Sequence, residues 1–89
     1  MEFGWDEAKC KANLAKHGLD FSDVFPAFFD TAKVVVEDIR ANYGEVRYNM
    51  LAKLHGRICN ITFTERGEVV WLISARKANQ REQTRYAKL

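Results

Sequence analysis

The chain has 89 residues, which allows one domain with a modest core, and its 47% hydrophobic content with a single proline excludes a disordered polymer. No apolar run approaches the ~20 residues needed to span a bilayer. Net charge is only +2, yet from Arg76 to Leu89 five basic residues (Arg76, Lys77, Arg81, Arg85, Lys88) stand against Glu82 alone, so this segment's surplus of four exceeds that of the whole chain. Such a run is either a solvated helix surface or a site for phosphate or an acidic partner.

The opening MEFGWDEAKC lacks the basic-then-apolar pattern of a secretory signal, and a cytoplasmic location is expected. Asp6 caps a predicted helix over residues 7 to 16, which His17 and Gly18 end, glycine taking the left-handed stop position. A second helix is predicted from Ser22, because Phe21, Val24, Phe25 and Phe28 make one apolar stripe, with Pro26 tolerated close to its start. From Lys33 the period changes to two, and Val34, Val35 and Val36 open the first of four strands. Placing His55 and Gly56 at a two-residue turn sets Ala52 opposite Cys59, Met50 opposite Ile61 and Tyr48 opposite Phe63. Placing Glu65, Arg66 and Gly67 at a three-residue turn sets Phe63 opposite Val69, Ile61 opposite Trp71 and Cys59 opposite Ile73. Both hairpins then put their apolar residues on one face, for the two N-terminal helices to cover. The other face carries Asn49, Asn60, Thr62, Ser74 and Arg76, and reads either as the wet side of a sheet or as a shallow polar groove. A C-terminal helix follows, with Arg81, Arg85 and Lys88 forming a basic stripe. The expected fold is α+β, a single domain over residues 1–89: two N-terminal helices, a four-stranded antiparallel meander and a C-terminal helix.

His17 and His55 stand in different elements, and no acidic cluster has the spacing of a zinc or magnesium site. Cys10 and Cys59 also lack ligand spacing and read as reduced thiols packed as small hydrophobes. No cofactor motif is present. The remaining chemistry is basic, which suits metal-free phosphodiester cleavage of RNA: the substrate's 2′-hydroxyl is the nucleophile, and arginine offsets charge growing on phosphate. A small basic module that holds RNA or an acidic protein without cutting it fits the same composition.

The motif F-x-W-D-x-x-K-x-x-x-N-x-x-K-H-G from Phe3 to Gly18 resembles the start of the BrnT toxin family. The resemblance continues through Phe21-Ser22-Asp23-Val24, Phe29-Asp30, Gly44-Glu45-x-Arg47, Thr64-Glu65-Arg66-Gly67, Ile73-Ser74-Ala75-Arg76-Lys77-Ala78 and Glu82-x-x-x-Tyr86. It implies a RelE-like ribonuclease fold, the toxin half of a type II toxin–antitoxin pair, and RNA cleavage that halts translation. It also implies a BrnA-like ribbon-helix-helix antitoxin, a heterotetramer of the two, and contact with promoter DNA only through the antitoxin. The sequence departs from the family at Gln83, where many relatives carry a basic residue after the helix glutamate.

Arg76, at the strand-to-helix junction, is the leading catalytic candidate, with pairing to Glu82 as its structural alternative. Arg66 matches a family motif at the opposite end of that strand, roughly 30 Å away at about 3.3 Å per residue. Lys16 and His17 complete the catalytic candidates: His17 can exchange a proton near neutral pH, and both equally suit a helix end. For RNA binding the candidates are Lys53 and Arg57 beside the first turn, Arg47 with Glu45 as an ion-pair alternative, Arg81 and Arg85 on the stripe, and Tyr86. Arg81 and Arg85 equally suit acidic antitoxin residues, and Tyr86 equally suits packing on the sheet.

Overall fold

The computed structural model describes residues 1–88; Leu89, the end of the basic segment, lies outside them. Strand β1 (Glu2–Trp5) leads into helix α1 (Glu7–His17). The Asp6 carboxylate accepts the N–H groups of Ala8 and Lys9, and α1 ends where the Gly18 N–H, at φ 73°, returns to the Leu14 carbonyl. Two 3-10 turns, Phe21–Asp23 and Phe25–Phe29, precede strands β2 (Val34–Asp38), β3 (Arg47–Leu54), β4 (Arg57–Arg66) and β5 (Val69–Lys77), and helix α2 (Gln80–Ala87) closes the fold. The sheet order is β1-β5-β4-β3-β2, mixed because β1 runs parallel to β5 while the other pairs are antiparallel.

Three of the sequence expectations need correction. The sheet has five strands, since β1 adds to the predicted four; at four residues it is too short to display an alternating pattern, and its partner lies at the far end of the chain. Gly4 sits opposite Trp71, and a Cβ there would meet the indole at 2.9 Å, so the glycine makes room for that ring.

The predicted second helix is instead the pair of 3-10 turns, because Pro26 has no N–H to donate and its ring would clash with the carbonyl four residues earlier in an α-helix. Its stripe still works: Phe21, Val24 and Phe28 are buried, while Phe25 stays half exposed.

The second hairpin turns on two residues, Gly67 and Glu68, so Arg66 belongs to β4 and lies opposite Val69. Val70 and Leu72 therefore point into the core, and Val69 and Trp71 away from it, the reverse of the counted register. A β-bulge then inserts Ile73 between the Phe63–Leu72 and Thr62–Ser74 pairs, which flips the alternation back. Ala75 faces inward opposite Ile61, and Ser74 and Arg76 emerge on the polar face as expected. The first hairpin keeps the counted pairs, its turn residues His55 and Gly56 both at positive φ as a type I′ turn requires.

The core lies between the sheet and the N-terminal elements, with Phe21, Val24, Met50, Ile61 and Leu72 almost wholly inaccessible. Cys10 and Cys59 are free and buried in this cluster. Because β1 covers β5 only as far as Leu72, the next stretch of that edge needs another partner. Asn13 of α1 supplies it: its amide accepts from the Ala75 N–H at 3.0 Å, donates to the Ala75 carbonyl at 2.9 Å, and also donates to the Leu19 carbonyl. The buried amide thus imitates a neighbouring strand. Asn13→Ala is expected to cost about 3 kcal/mol, since it strands buried backbone groups, and urea unfolding measures this. A loss below about 0.5 kcal/mol would mean the edge is satisfied without it.

Candidate nucleic-acid interface

The bulge in β5 aligns Ser74 and Arg76 with Thr62 and Asn60 of β4, and Asn49 of β3 extends the same face. Helix α2 starts beside them. Asn79 and Glu82 form a capping box, the Asn79 side chain accepting from the Glu82 N–H and the Glu82 side chain accepting from the Asn79 N–H. The same Glu82 carboxylate receives Arg76 end-on, Nη1 to Oε1 at 2.8 Å and Nη2 to Oε2 at 2.9 Å, and the Asn60 amide at 2.7 Å. Four donors converge on one carboxylate.

Charge and hydrogen bonding agree in sign here. The Arg76 fork, helped by the Asn79 N–H and Asn60, pushes the Glu82 carboxyl down to about 2 against its burial, and Glu82 in turn raises the Arg76 guanidinium. Arg76 remains 38% exposed. Beyond the Glu82 contacts, Nη1 donates to the Lys77 carbonyl. The Nε–H of the guanidinium makes no hydrogen bond among the described residues.

Arg76 borders a polar cleft of about 350 Å³. Asn49, Asn60, Thr62 and Ser74 make its floor, Arg76 and Glu82 one wall, and the segment from Glu37 to Arg40 the other. The Thr62 hydroxyl donates to Asn49 Oδ1 at 2.7 Å, which leaves the Asn49 amide N–H groups without a partner among the described residues. The polar face is therefore a concave site with directional donors, and not a flat wet surface.

The family profile described as "Ribonuclease toxin, BrnT, of type II toxin-antitoxin system" matches residues 5–82. The chain belongs to the BrnT family of ribonuclease toxins. A search of curated proteins found no match. As a type II toxin of this family, the chain has an antitoxin protein as partner.

Within this BrnT chain the expected site residues fall in separate places. Arg76 alone among them lines this cleft. Lys53 and Arg57 join Lys77 and Gln83 around a second depression of about 370 Å³ at the hairpin end of the sheet, lined by no carboxylate. Gln83, the family departure, donates to the Ala78 carbonyl. Arg81 and Lys88 lie on an outer face of α2, while Arg85, which borders that face, also reaches a small depression of about 120 Å³ that it shares with Asn49, Asn60 and Glu82 of the cleft. The Tyr86 hydroxyl donates to Asp30 at 2.6 Å, and Asp30 also accepts the Lys53 N–H, so this tyrosine ties α2 to the rim of the sheet.

Arg66 stacks over Trp71 and approaches Glu45 at 3.4 Å. Arg47 stacks over Tyr43 and lies 3.8 Å from the same carboxylate. Val69, opposite Arg66, is seven residues from Arg76 along β5, which separates the two arginines by about 23 Å. Lys16 and His17 occupy the last turn of α1 and do not line the Arg76 cleft. Among the described residues no three His, Cys, Asp or Glu side chains converge as metal ligands would, and no helix is long and apolar enough to cross a membrane.

Sequence reading missed Asn60 as a holder of Glu82, and the whole Glu37–Arg40 wall. The Asn79-x-x-Glu82 capping box was a legible signal for the first turn of α2. A carboxyl held at about 2, against an ordinary 4.5, stabilises the fold fully above pH 4.5 and loses that contribution as pH falls toward 2. The stability difference between wild type and Glu82→Gln should therefore shrink over that window in pH-dependent urea unfolding. A difference that stays constant there would assign the titration to another group.

Proposed function

We propose that this chain is a metal-independent endoribonuclease that arrests translation by cutting RNA at the Arg76 cleft. The observation that carries this reading is the double use of Arg76: Glu82 holds its end-on face, while the residue lines the cleft with its Nε–H unbonded among the described residues. A guanidinium fixed in this way is pre-organised for charge that develops on a phosphate oxygen. In the reaction the RNA 2′-oxygen bonds to the adjacent phosphorus and the bond to the 5′-oxygen breaks. The products are a 2′,3′-cyclic phosphate and a free 5′-hydroxyl, the 2′-hydroxyl proton leaving and the 5′-oxygen gaining one. Glu82, with its carboxyl near 2, is too weak a base to take that proton near neutral pH, so its part is to position Arg76.

Lys53, Arg57, Arg81 and Arg85 surround this site with positive charge and serve in drawing in and tracking the RNA backbone. Arg47 and Arg66, together at the far end of the sheet, contact a longer strand there instead of the scissile phosphate. Lys16 and His17 act as the closing turn of α1, and general acid–base work by His17 is the lesser role. Tyr86 anchors α2. The antitoxin in this reading is a BrnA-like ribbon-helix-helix protein that forms a heterotetramer with the toxin in the cytoplasm and carries all promoter contact. Its acidic residues meet the α2 stripe, which the family match and the charge of that helix support.

A second reading, a module that binds RNA without cutting it, draws on the same Arg76–Glu82 pair taken as purely structural. Purified protein with excess RNA in EDTA separates the two. Cleavage with cyclic phosphate ends is expected, and Arg76→Ala should slow it at least ~100-fold and abolish growth arrest on induction. Intact RNA that is bound but never cut would select the module.

A further inference from the structure

A second arginine faces the same cleft. Arg40 follows β2, on the side of the sheet away from β5, and lines the wall opposite Arg76. Three strand spacings, about 14 Å, separate the two backbones that carry them. The Arg40 side chain is 76% exposed, but its position is not free: Nε and Nη2 each donate at 2.8 Å to the two oxygens of Asp38, whose own side chain is only 2% exposed. Asp38 also accepts the Arg40 N–H and the Tyr43 hydroxyl, which anchors the turn. The Arg40 fork holds the Asp38 carboxyl far below the usual range.

The two pairs are complementary in geometry. Glu82 takes the end-on face of Arg76 and leaves its Nε edge; Asp38 takes the Nε edge of Arg40 and leaves the Nη1 group. Each guanidinium is thus held by one edge and offers donors from the other. We propose that Arg40, held side-on by Asp38, is a second phosphate-binding residue of this cleft and takes a phosphodiester of the RNA strand. The proposal rests on the reading of the cleft as an RNA site.

Net charge does not explain the site, because three carboxylates (Glu37, Asp38, Glu82) line the cleft against two guanidiniums. Asp38 and Glu82 are spent on internal donors, and the cleft presents directed N–H groups from both arginines beside the Glu37 carboxylate, which makes no ion pair among the described residues. Recognition is by hydrogen-bond geometry, with long-range attraction left to the basic surface of α2.

The probe is a 2′-O-methyl RNA oligonucleotide, whose blocked nucleophile prevents cleavage, titrated by fluorescence anisotropy at several salt concentrations. Arg40→Ala should weaken binding about 10-fold and lower the salt slope by about one, with the melting temperature showing that the protein is still folded. Arg40→Lys, which keeps the charge and loses the fork, should lose less. Asp38→Asn is the sharper test, because it makes the protein more positive: a merely electrostatic Arg40 predicts tighter binding, whereas loss of its fixed orientation predicts weaker binding. That effect should vanish in the Asp38→Asn, Arg40→Ala double variant. Unchanged affinity in Arg40→Ala beside a clear loss in Arg76→Ala would overturn the proposal and leave the RNA cleft standing, as would tighter binding by Asp38→Asn. Unchanged affinity in both arginine variants would overturn the cleft reading and this proposal together.

Discussion

On Glu82 converge the first turn of α2, the middle of β4 and the end of β5, all within hydrogen-bonding distance of one carboxylate. Without it the Asn79 N–H, the Asn60 amide and the Arg76 fork would each need another acceptor. A carboxylate receiving four donors offers stabilisation that neutral groups do not match, because each bond is charge-assisted. It also decides orientation. Arg76 stands at the edge of the cleft with a defined free side because its other side is occupied.

The approach to that arrangement runs through β5. The strand is covered by β1 for its first four residues, by the Asn13 amide at Ala75, and re-aimed between the two by the bulge at Ile73. Remove the bulge and the alternation would carry Arg76 toward the core, where an unpaired guanidinium has no tolerable place. Core packing at Leu72 and Ala75 and exposure of Arg76 are compatible only because one extra residue lies between them. Helix α1 thus bears on the site from the far side, through an edge contact with β5 and without touching the cleft.

Around this centre the protein repeats one device. Arg40 with Asp38, and Arg66 and Arg47 with Glu45, are further guanidiniums placed beside carboxylates, while Arg66 and Arg47 also lie over aromatic rings. Lys53, Arg57 and Lys77 at the hairpin end of the sheet, and Arg81 and Lys88 on the outer face of α2, have no such partners lining their depressions. The surface therefore has two kinds of basic residue: oriented arginines, suited to defined phosphates, and solvated cations, suited to steering.

Local signals in the sequence were sufficient for the α+β class, the start and stop of α1 and the first hairpin register. Each depends on residues close in the chain: an aspartate cap, a glycine stop, a His-Gly turn, a period of two. Family motifs carried the resemblance that the profile match then established. Tertiary structure decided the rest. Only packing determined that four N-terminal residues join the sheet beside β5 and that β5 bulges at Ile73, whereas the 3-10 turns in place of a second helix follow locally from Pro26. Only the fold brought Arg40 to a cleft shared with Arg76. A sequence period reports which way a side chain points relative to its neighbours, whereas a bulge, an added edge strand and two side chains facing across a cleft are set by contacts between segments far apart in the chain.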